Sequence, residues 1–330
     1  MDIAKHAQYL RPLNAADLDR VIAIDTAVTG RPRRGFFEKR LAAALRDPRG
    51  FVYTGYADAS GLQGFMMCRL LEGEFGGSRS AAVMDTMGVE PARQGEGIGH
   101  ALLHASEEVL QHKGVAELHT QADWRNGSVL PFFSKAGFLL AQRYVLEREV
   151  GPHGIDLQPA AEPESSHETN YSDPSRDDFA ALSRDRIPCR SLQHSDLAAL
   201  IRIDRKLLGR DRTGYYEHKL VEVLEESGIR VSMVAEIDGM VAGFIMARVD
   251  FGEFGRAEPY AVLDTMSVDP DRQHLHIATA LLSQLLANLT TLRVEHVRTE
   301  AAFDQHGLFA FLWRCGFRPS QQLAFYRTLT

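Results

Sequence analysis

The chain has 330 residues, of which 45% are hydrophobic and 25% are charged, an ordinary composition for a globular protein with room for two domains. Its formal net charge of -7 at pH 7 gives no basic field that would attract nucleic acid. No stretch approaches the roughly 18 apolar residues of a membrane span, and the N-terminus has no apolar signal core. We therefore expect a cytoplasmic protein with neither a nucleic-acid nor a membrane partner.

The first 150 residues predict a fixed order of strands and helices. A strand at 10–13 precedes a helix at 15–25 that Asn14 can cap, and a second helix follows at about 36–45. The elements that follow are a hairpin of strands at 51–56 and 63–71, a strand at 81–89, a helix at about 98–112, a strand at 115–122, a short helix at 128–135 and a last strand at 139–148. This order indicates an α+β (mixed α/β) fold with a mixed sheet.

The same order is written a second time along the chain. Asp85-Thr86-Met87 recurs 179 positions later as Asp264-Thr265-Met266, and most of the unit keeps this offset without a gap. Two copies of so long a unit predict tandem domains rather than a solenoid. We expect domains at 8–150 and 187–330 that pack as an intramolecular pseudo-dimer, joined by an acidic, Pro- and Ser-rich linker at 151–186.

A glycine-rich turn joins the strand at 81–89 to the following helix. Pro91 ends the strand, and Gln94-Gly95-Glu96-Gly97-Ile98-Gly99 opens the helix. The first amides of a helix have no internal partner and attract anions, and glycine lets a phosphate approach the backbone because it has no Cβ. The turn therefore predicts a pyrophosphate site. Its glycine spacing does not fit the Gly-x-Gly-x-x-Gly of dinucleotide-binding folds.

With these motifs assembled, both copies resemble the GCN5-related N-acetyltransferase (GNAT) superfamily. The motifs that carry the resemblance are Val89-Glu90-Pro91, the turn at 94–99, Asn126, Phe133 and Gly137-Phe138. The resemblance implies two tandem GNAT folds, each a mixed, mostly antiparallel, splayed sheet flanked by helices. It also implies acetyl-CoA, or another acyl-CoA, as co-substrate and direct transfer of the acyl group to an amine. The acceptor would be a small-molecule amine or an amine of a protein or peptide.

The resemblance also implies where coenzyme A binds. Amides near Met87, Gly88 and Val89 would hold the thioester oxygen as it becomes an oxyanion. The remaining residues of the predicted coenzyme A site are those of the turn and its surroundings: Gln94, Gly95, Glu96, Gly97, Ile98, Gly99, His100, Asn126 and Phe133.

The second copy departs from the family at the turn, which reads Gln273-His274-Leu275-His276-Ile277-Ala278. A side chain at position 276 occupies the space that a pyrophosphate needs. We therefore expect the first copy to bind acyl-CoA and transfer the acyl group, and the second copy to be structural or to line the acceptor site. The alternative is that His276 swings outward and donates to a phosphate.

Asp85 is the candidate catalytic residue, although it lies in an apolar strand where aspartate is depleted. It is either the general base or anchor of the amine, working through a water, or a structural partner of a loop amide or an arginine. The presence of Asp264 at the same position in the altered copy favours the structural alternative.

The proton donor to the leaving thiolate is open. Many family members have a tyrosine where this chain has Phe133 and Leu312, and neither residue can donate a proton. Water, Ser134 or Tyr144 are the candidates that remain. The missing tyrosine also leaves a rival function, a non-catalytic acyl-CoA-binding or interaction protein.

The acceptor groove of the family is lined by the loop between the first two helices. Arg31 and Arg33 are the candidates there for receiving an acidic acceptor group; alternatively they belong to a solvated loop or pair with Glu74. Glu74 and Phe75 are candidates for the wall of the acceptor site, or for packing between the domains.

Three further residue groups show no pattern of a catalytic or metal site. We expect Trp124 to pack in the core; the alternative is contact with the acceptor. The histidines His100, His104, His112 and His119 do not have the spacing of metal ligands, and the three cysteines are far apart, so the sequence predicts no metal site and reduced thiols.

Overall fold

Two sheets of seven strands each organise the protein. A computed structural model describes residues 5–46, 48–71, 81–150, 186–226, 229–251, 254 and 259–329. Within these residues the sheets are accompanied by eight α-helices. Each sheet is mixed and mostly antiparallel, with a single parallel strand pair among the described residues. The predicted fold class is confirmed.

The first sequence unit begins with β1 (Leu10–Pro12), α1 (Leu18–Thr29) and α2 (Arg34–Arg46). It continues with β2 (Phe51–Asp58), β3 (Gly61–Leu71), β4 (Ala81–Val89), α3 (Ile98–His112), β5 (Glu117–Asp123), α4 (Val129–Lys135), β6 (Leu139–Leu140) and β7 (Arg143–Glu149). Asn14 caps the turn before α1 as predicted, because its side chain accepts a hydrogen bond from the amide of Ala16.

The second unit repeats the order with β8 (Cys189–Ser191), α5 (Leu197–Leu208), α6 (Thr213–Val221), β9 (Met233–Ile237) and β10 (Met240–Phe251). It ends with β11 (Pro259–Val268), α7 (Ile277–Thr291), β12 (His296–Ala302), α8 (His306–Arg314), β13 (Arg318–Pro319) and β14 (Gln322–Thr328).

Apolar side chains on both faces of the strands give each sheet two apolar faces. On β3, Met66 and Cys68 pack in the core cluster that contains α3, whereas Phe65 and Met67 pack with α1 and α2. Successive side chains of a strand point to opposite faces, so one strand serves both layers. The first sheet therefore lies between α3 on one face and α1 with α2 on the other, and the second unit has the same layers.

The last strand of each unit crosses into the sheet of the other unit. The first sheet has the order β1-β2-β3-β4-β5-β14-β6 and the second β13-β7-β12-β11-β10-β9-β8. β14 pairs with the whole of β5, from Gln322↔Asp123 to Thr328↔Glu117. In the same way β7 pairs with β12. The strand exchange joins the two units into one pseudo-dimer.

The prediction of a single strand at 139–148 is therefore wrong. The chain breaks at Ala141-Gln142, which leaves β6 in the first sheet and carries β7 into the second. Tyr144, a candidate acid for the first unit, consequently lies in the second sheet, where its ring contacts Phe303 and Phe309. Of the predicted linker at 151–186 only Arg186 is described, so the domain boundaries stay a prediction.

Candidate active site

β4 and β5 begin as parallel neighbours and then separate. Their registered pairs are Ala81↔Glu117, Ala82↔Leu118 and Val83↔His119 only. Where they part, the Thr120 hydroxyl donates to the carbonyl of Met84 at 3.1 Å. β4 stays paired with β3 on its other side as far as Val89. Among the described residues, the β5-facing edge of β4 beyond Met84 has no strand partner, so its backbone groups can pair with a ligand. At the end of the strand, the carbonyl of Val89 already accepts a hydrogen bond from the side chain of Gln94 at 3.2 Å.

A β-bulge lies at the start of this unpaired edge. The β3–β4 register passes from Met67↔Thr86 to Cys68↔Met84, so Asp85 is the extra residue. Its side chain is 1% exposed. Arg69 Nε donates to one carboxylate oxygen at 3.1 Å, and Arg40 Nε lies 3.5 Å from the other. Both oxygens therefore face guanidinium groups, a geometry that suits an anchor of the bulge better than an acceptor of protons.

The second unit repeats this arrangement with different cations. The β10–β11 register skips Asp264 in the same way. Its carboxylate lies 2.8 Å from Lys219 Nζ and 3.3 Å from Arg248 Nε. Two bulges with a buried, doubly paired aspartate indicate a shared structural role.

The glycine turn has the left-handed backbone that its sequence predicts. Gly95 has a φ of +83° and Gly97, the N-cap of α3, a φ of +90°. No side chain caps α3, so the first amides of the helix remain directed out of the turn. A Cβ on Gly99 would lie 3.3 Å from Phe132 and 3.8 Å from Met87. The turn, α4 and the end of β4 thus converge at one point.

Phe132, rather than Phe133, faces this point. Phe133 is buried, with ring centroids 5.1 Å from Phe138 and 5.3 Å from Phe325 on the exchanged β14. Phe132 is half-buried and meets His100 edge to face at 4.9 Å. The adjacent phenylalanines give no sequence signal to decide between them; only the orientation of α4 does.

Asn126 and Trp124 lie in the segment between β5 and α4. Asn126 stabilises the turn that leads into α4, since its side-chain oxygen accepts from the amides of Ser128 at 3.3 Å and Val129 at 3.2 Å. Trp124 is 56% exposed, so the expectation that it packs in the core is wrong.

Of the four predicted acceptor-site residues, Arg31 and Arg33 lie within the described residues. Arg33 is buried; its Nε donates to Asp25 at 2.9 Å and its Nη2 to Thr86 at 3.1 Å. This ion pair ties α1 and α2 to β4 and is repeated by Arg212 and Asp204 at 2.9 Å. Arg31 is exposed. Glu74 and Phe75 lie outside the described residues.

The second turn keeps the backbone of the first without its glycines. His274 and His276 have φ values of +66° and +60°, and His276 is the N-cap of α7. β11 and β12 also separate after three registered pairs. The second unit therefore retains the splay and the turn, but bulky side chains replace hydrogen at two positions.

The three cysteine thiols are buried or half-buried. Burial raises the pKa of the Cys189 and Cys315 thiols to about 11 and that of Cys68 well above its usual value, so none is an activated nucleophile. No group of three His, Cys, Asp or Glu residues in the described ranges could hold a metal ion. None of the described helices is both long and apolar enough to cross a bilayer.

Known proteins share this architecture. A mycothiol acetyltransferase from Kocuria rhizophila is 29% identical over 110 residues, which span 33% of this chain and 36% of that protein. A tandem GNAT protein from the clavulanic acid biosynthesis pathway has a TM-score of 0.62 at 16% identity and covers 97% of this chain and 98% of its own. A GCN5-related N-acetyltransferase from Sphaerobacter thermophilus has a TM-score of 0.55 at 16% identity, covering 97% and 95%.

These two solved structures show that the tandem fold is shared. The family match extends over residues 18–138 and 202–317, hence over both units and most of the sequence. The chain therefore belongs to the Acetyltransferase (GNAT) family.

Proposed function

We propose that the first unit transfers an acetyl (acyl) group from acetyl-CoA directly to an amine, and that the second unit is structural or lines the acceptor site. One observation carries the proposal: the unpaired edge of β4 ends at the glycine turn. An extended pantetheine arm can pair with that edge while the pyrophosphate lies on the first amides of α3. The two features are needed together, and the first unit has both.

The residues present fit such a ligand. Met87, Gly88 and Val89 would offer backbone groups to the pantetheine arm and to the oxyanion that forms from the thioester. The residues that would hold the pyrophosphate are those of the turn and the first helical turn: Gln94, Gly95, Glu96, Gly97, Ile98, Gly99 and His100. When bound, acetyl-CoA supplies the activated acyl group; the chain supplies position and hydrogen-bond donors.

The acceptor is an amine. The relative named a mycothiol acetyltransferase supports a small-molecule acceptor over a protein or peptide amine. A non-catalytic acyl-CoA-binding protein is the second candidate, and the buried Phe133 favours it, because no hydroxyl stands at that position. Release of free thiol from acetyl-CoA with a panel of amines separates the two candidates, since only an enzyme turns over.

Substituting Gly97 tests the proposal at the turn. Gly97→His copies the second unit into the first, and we expect it to weaken acetyl-CoA binding more than about tenfold, because a side chain enters the phosphate space. Gly114→His is the matched control: Gly114 has a φ of +76°, has open space around it and lies at the other end of α3. Both variants should lose about 1–2 kcal/mol of stability to left-handed strain.

Calorimetric titration of the full chain gives both the affinity and the number of sites. We expect one tight site for each wild-type chain. Equal affinities for Gly97→His and Gly114→His would refute the site at the turn, and two equal tight sites in the wild type would refute the division of roles between the units.

A further inference from the structure

We propose that His119, oriented by Glu117, is the general base that takes a proton from the acceptor amine. This inference rests on the proposed function. It starts from the register of β5: His119 is paired with Val83, the last pair before β4 and β5 separate, and the next residue, Thr120, bonds the carbonyl of Met84. His119 therefore lies at the apex of the splay, where the unpaired edge of β4 begins.

His119 also points to the correct face. Leu118 and Ala122 pack in the core cluster of α3, so alternation along β5 places His119 on the opposite face. The side chain of Arg69 lies on the same face of β3 as those of Phe65 and Met67, which α1 and α2 cover. Asp85 pairs with Arg69 on this face. The glycine turn and α3 would take up coenzyme A, which leaves this opposite face for an incoming amine.

The contacts of the imidazole suit a base. His119 Nε2 lies 3.1 Å from Glu117 Oε2. With the Nε2 proton donated to that carboxylate, the lone pair of Nδ1 is left to accept a proton. The side chain is only 12% exposed, so its orientation is fixed by the packing around it.

Charged and titratable groups from four strands set the protonation state of His119. Burial and then Arg143 on β7 lower its pKa below the usual value, while Glu117 and Glu300 on β12 oppose this. The ring of Tyr326 on β14 lies 6.3 Å away. The imidazole is therefore neutral at pH 7 and ready to accept a proton, and three of these neighbours lie on the exchanged strands or on the second unit.

The reaction balances with this single base. The ammonium group of the acceptor gives one proton to His119 Nδ1, directly or through a water. The freed nitrogen lone pair attacks the thioester carbonyl carbon; the C–N bond forms and the C–S bond breaks. The sulfur leaves with the bonding pair and takes the second proton that the nitrogen loses, and His119 returns its proton to solvent. No hydroxyl at Phe133 is required.

The test is His119→Gln in the full chain. We expect kcat/KM to fall about a hundredfold or more at neutral pH and the acidic limb of the wild-type pH profile, below about pH 6.5, to disappear. Acetyl-CoA affinity measured by calorimetry should stay within about twofold of wild type. His104→Gln is the control, since His104 is partly exposed on α3 and pairs with Glu108, and it should change neither quantity.

Glu117→Gln tests the orienting role and serves if His119→Gln fails to fold. Without the carboxylate that raises the pKa of His119, the acidic limb should move to lower pH. A limb that does not move, or a His119→Gln variant within about threefold of wild-type kcat/KM, overturns the inference alone. A wild type that binds acetyl-CoA but acetylates no amine overturns the proposed function and this inference with it.

Discussion

Histidines replace the two left-handed glycines in the second turn, although the backbones of the two turns agree. The φ values of His274 and His276 are within about 30° of those of Gly95 and Gly97. Histidine is among the residues that tolerate left-handed backbone better than most, so the second turn keeps its shape at a cost in strain. What changes is the space above the turn, where we propose that the pyrophosphate binds in the first unit.

His100 should make acetyl-CoA binding depend on pH. Burial, with Lys135 and Arg327, lowers its pKa in the free protein, and a pyrophosphate beside the first turn of α3 would raise it. Binding then takes up a proton between the two pKa values, so affinity should rise as pH falls through and below 6.5, by up to about tenfold for each unit of pKa change.

Calorimetry in buffers of different ionisation enthalpy measures this proton uptake directly. His100→Gln should flatten the pH dependence of affinity, and His104→Gln, at a partly exposed site one turn further along the same helix, should leave it unchanged. Equal slopes for the wild type and His100→Gln would contradict a pyrophosphate beside His100.

At the scale of the element, the β-bulge of β4 is the feature that Asp85 maintains. Asp85→Asn would remove the buried carboxylate that Arg40 and Arg69 share, so we expect a loss of about 3–5 kcal/mol in the free energy of unfolding. Asp264→Asn should cost less, because Glu222 still lies 2.6 Å from Lys219 and 3.5 Å from Arg248. Denaturant titration of both variants measures the difference.

Activity measurements on the same variant separate structure from catalysis. A base acts only in the reaction, so its removal lowers turnover without lowering stability. Wild-type stability of Asp85→Asn combined with a hundredfold loss of kcat/KM would restore Asp85 to the catalytic role.

The elements that sequence predicts best are those whose ends are marked by a backbone requirement. β4 and α3 have the predicted bounds because Pro91 ends the strand and left-handed Gly97 starts the helix. The bulge at Asp85 was not predictable, since it exists only in the register with β3. Glu117 and His119 did carry a signal, because polar residues at alternate positions of a strand share one face.

The strand exchange could not be predicted from the sequence, for a different reason. β7 and β14 occupy equivalent positions of the repeat, and the second-last residue of each is an arginine that contacts the other unit. Arg327 lies 2.7 Å from Glu107 of α3, and Arg148 donates to the carbonyl of Cys315. The residue pattern of each strand is compatible with the edge of either sheet. Only the assembled molecule therefore shows which edge each strand joins.

At the scale of the whole molecule, the strand exchange places residues of each unit in the sheet of the other unit. The core behind Phe133 contains Phe325 and Leu323 of β14. Polar side chains also meet across the units, where Arg143 donates to Glu300 at 2.9 Å and Gln121 of β5 bonds both Glu300 and Arg298 of β12. A second unit without a working coenzyme A site would therefore still be required by the first.

Cutting the chain within the segment at 151–185 should consequently yield two fragments that purify together. Each fragment holds a strand that completes the sheet of the other, so we expect an affinity tag on one to retain the other, and the pair to keep the acetyl-CoA affinity of the intact chain. The first fragment expressed alone lacks β14 beside β5, which exposes an unpaired edge and one side of Phe133, and should not bind acetyl-CoA as a monomer.

Removing β14 from the second fragment is the matched control for the cut. It leaves β7 free to join β12, so the fragments should still associate, but the first sheet stays incomplete and acetyl-CoA affinity should be lost. A monomeric first fragment with full affinity would instead mean that β7 folds back beside β5. The exchange would then be one of two arrangements open to the chain, and the second unit would not be needed for the first site.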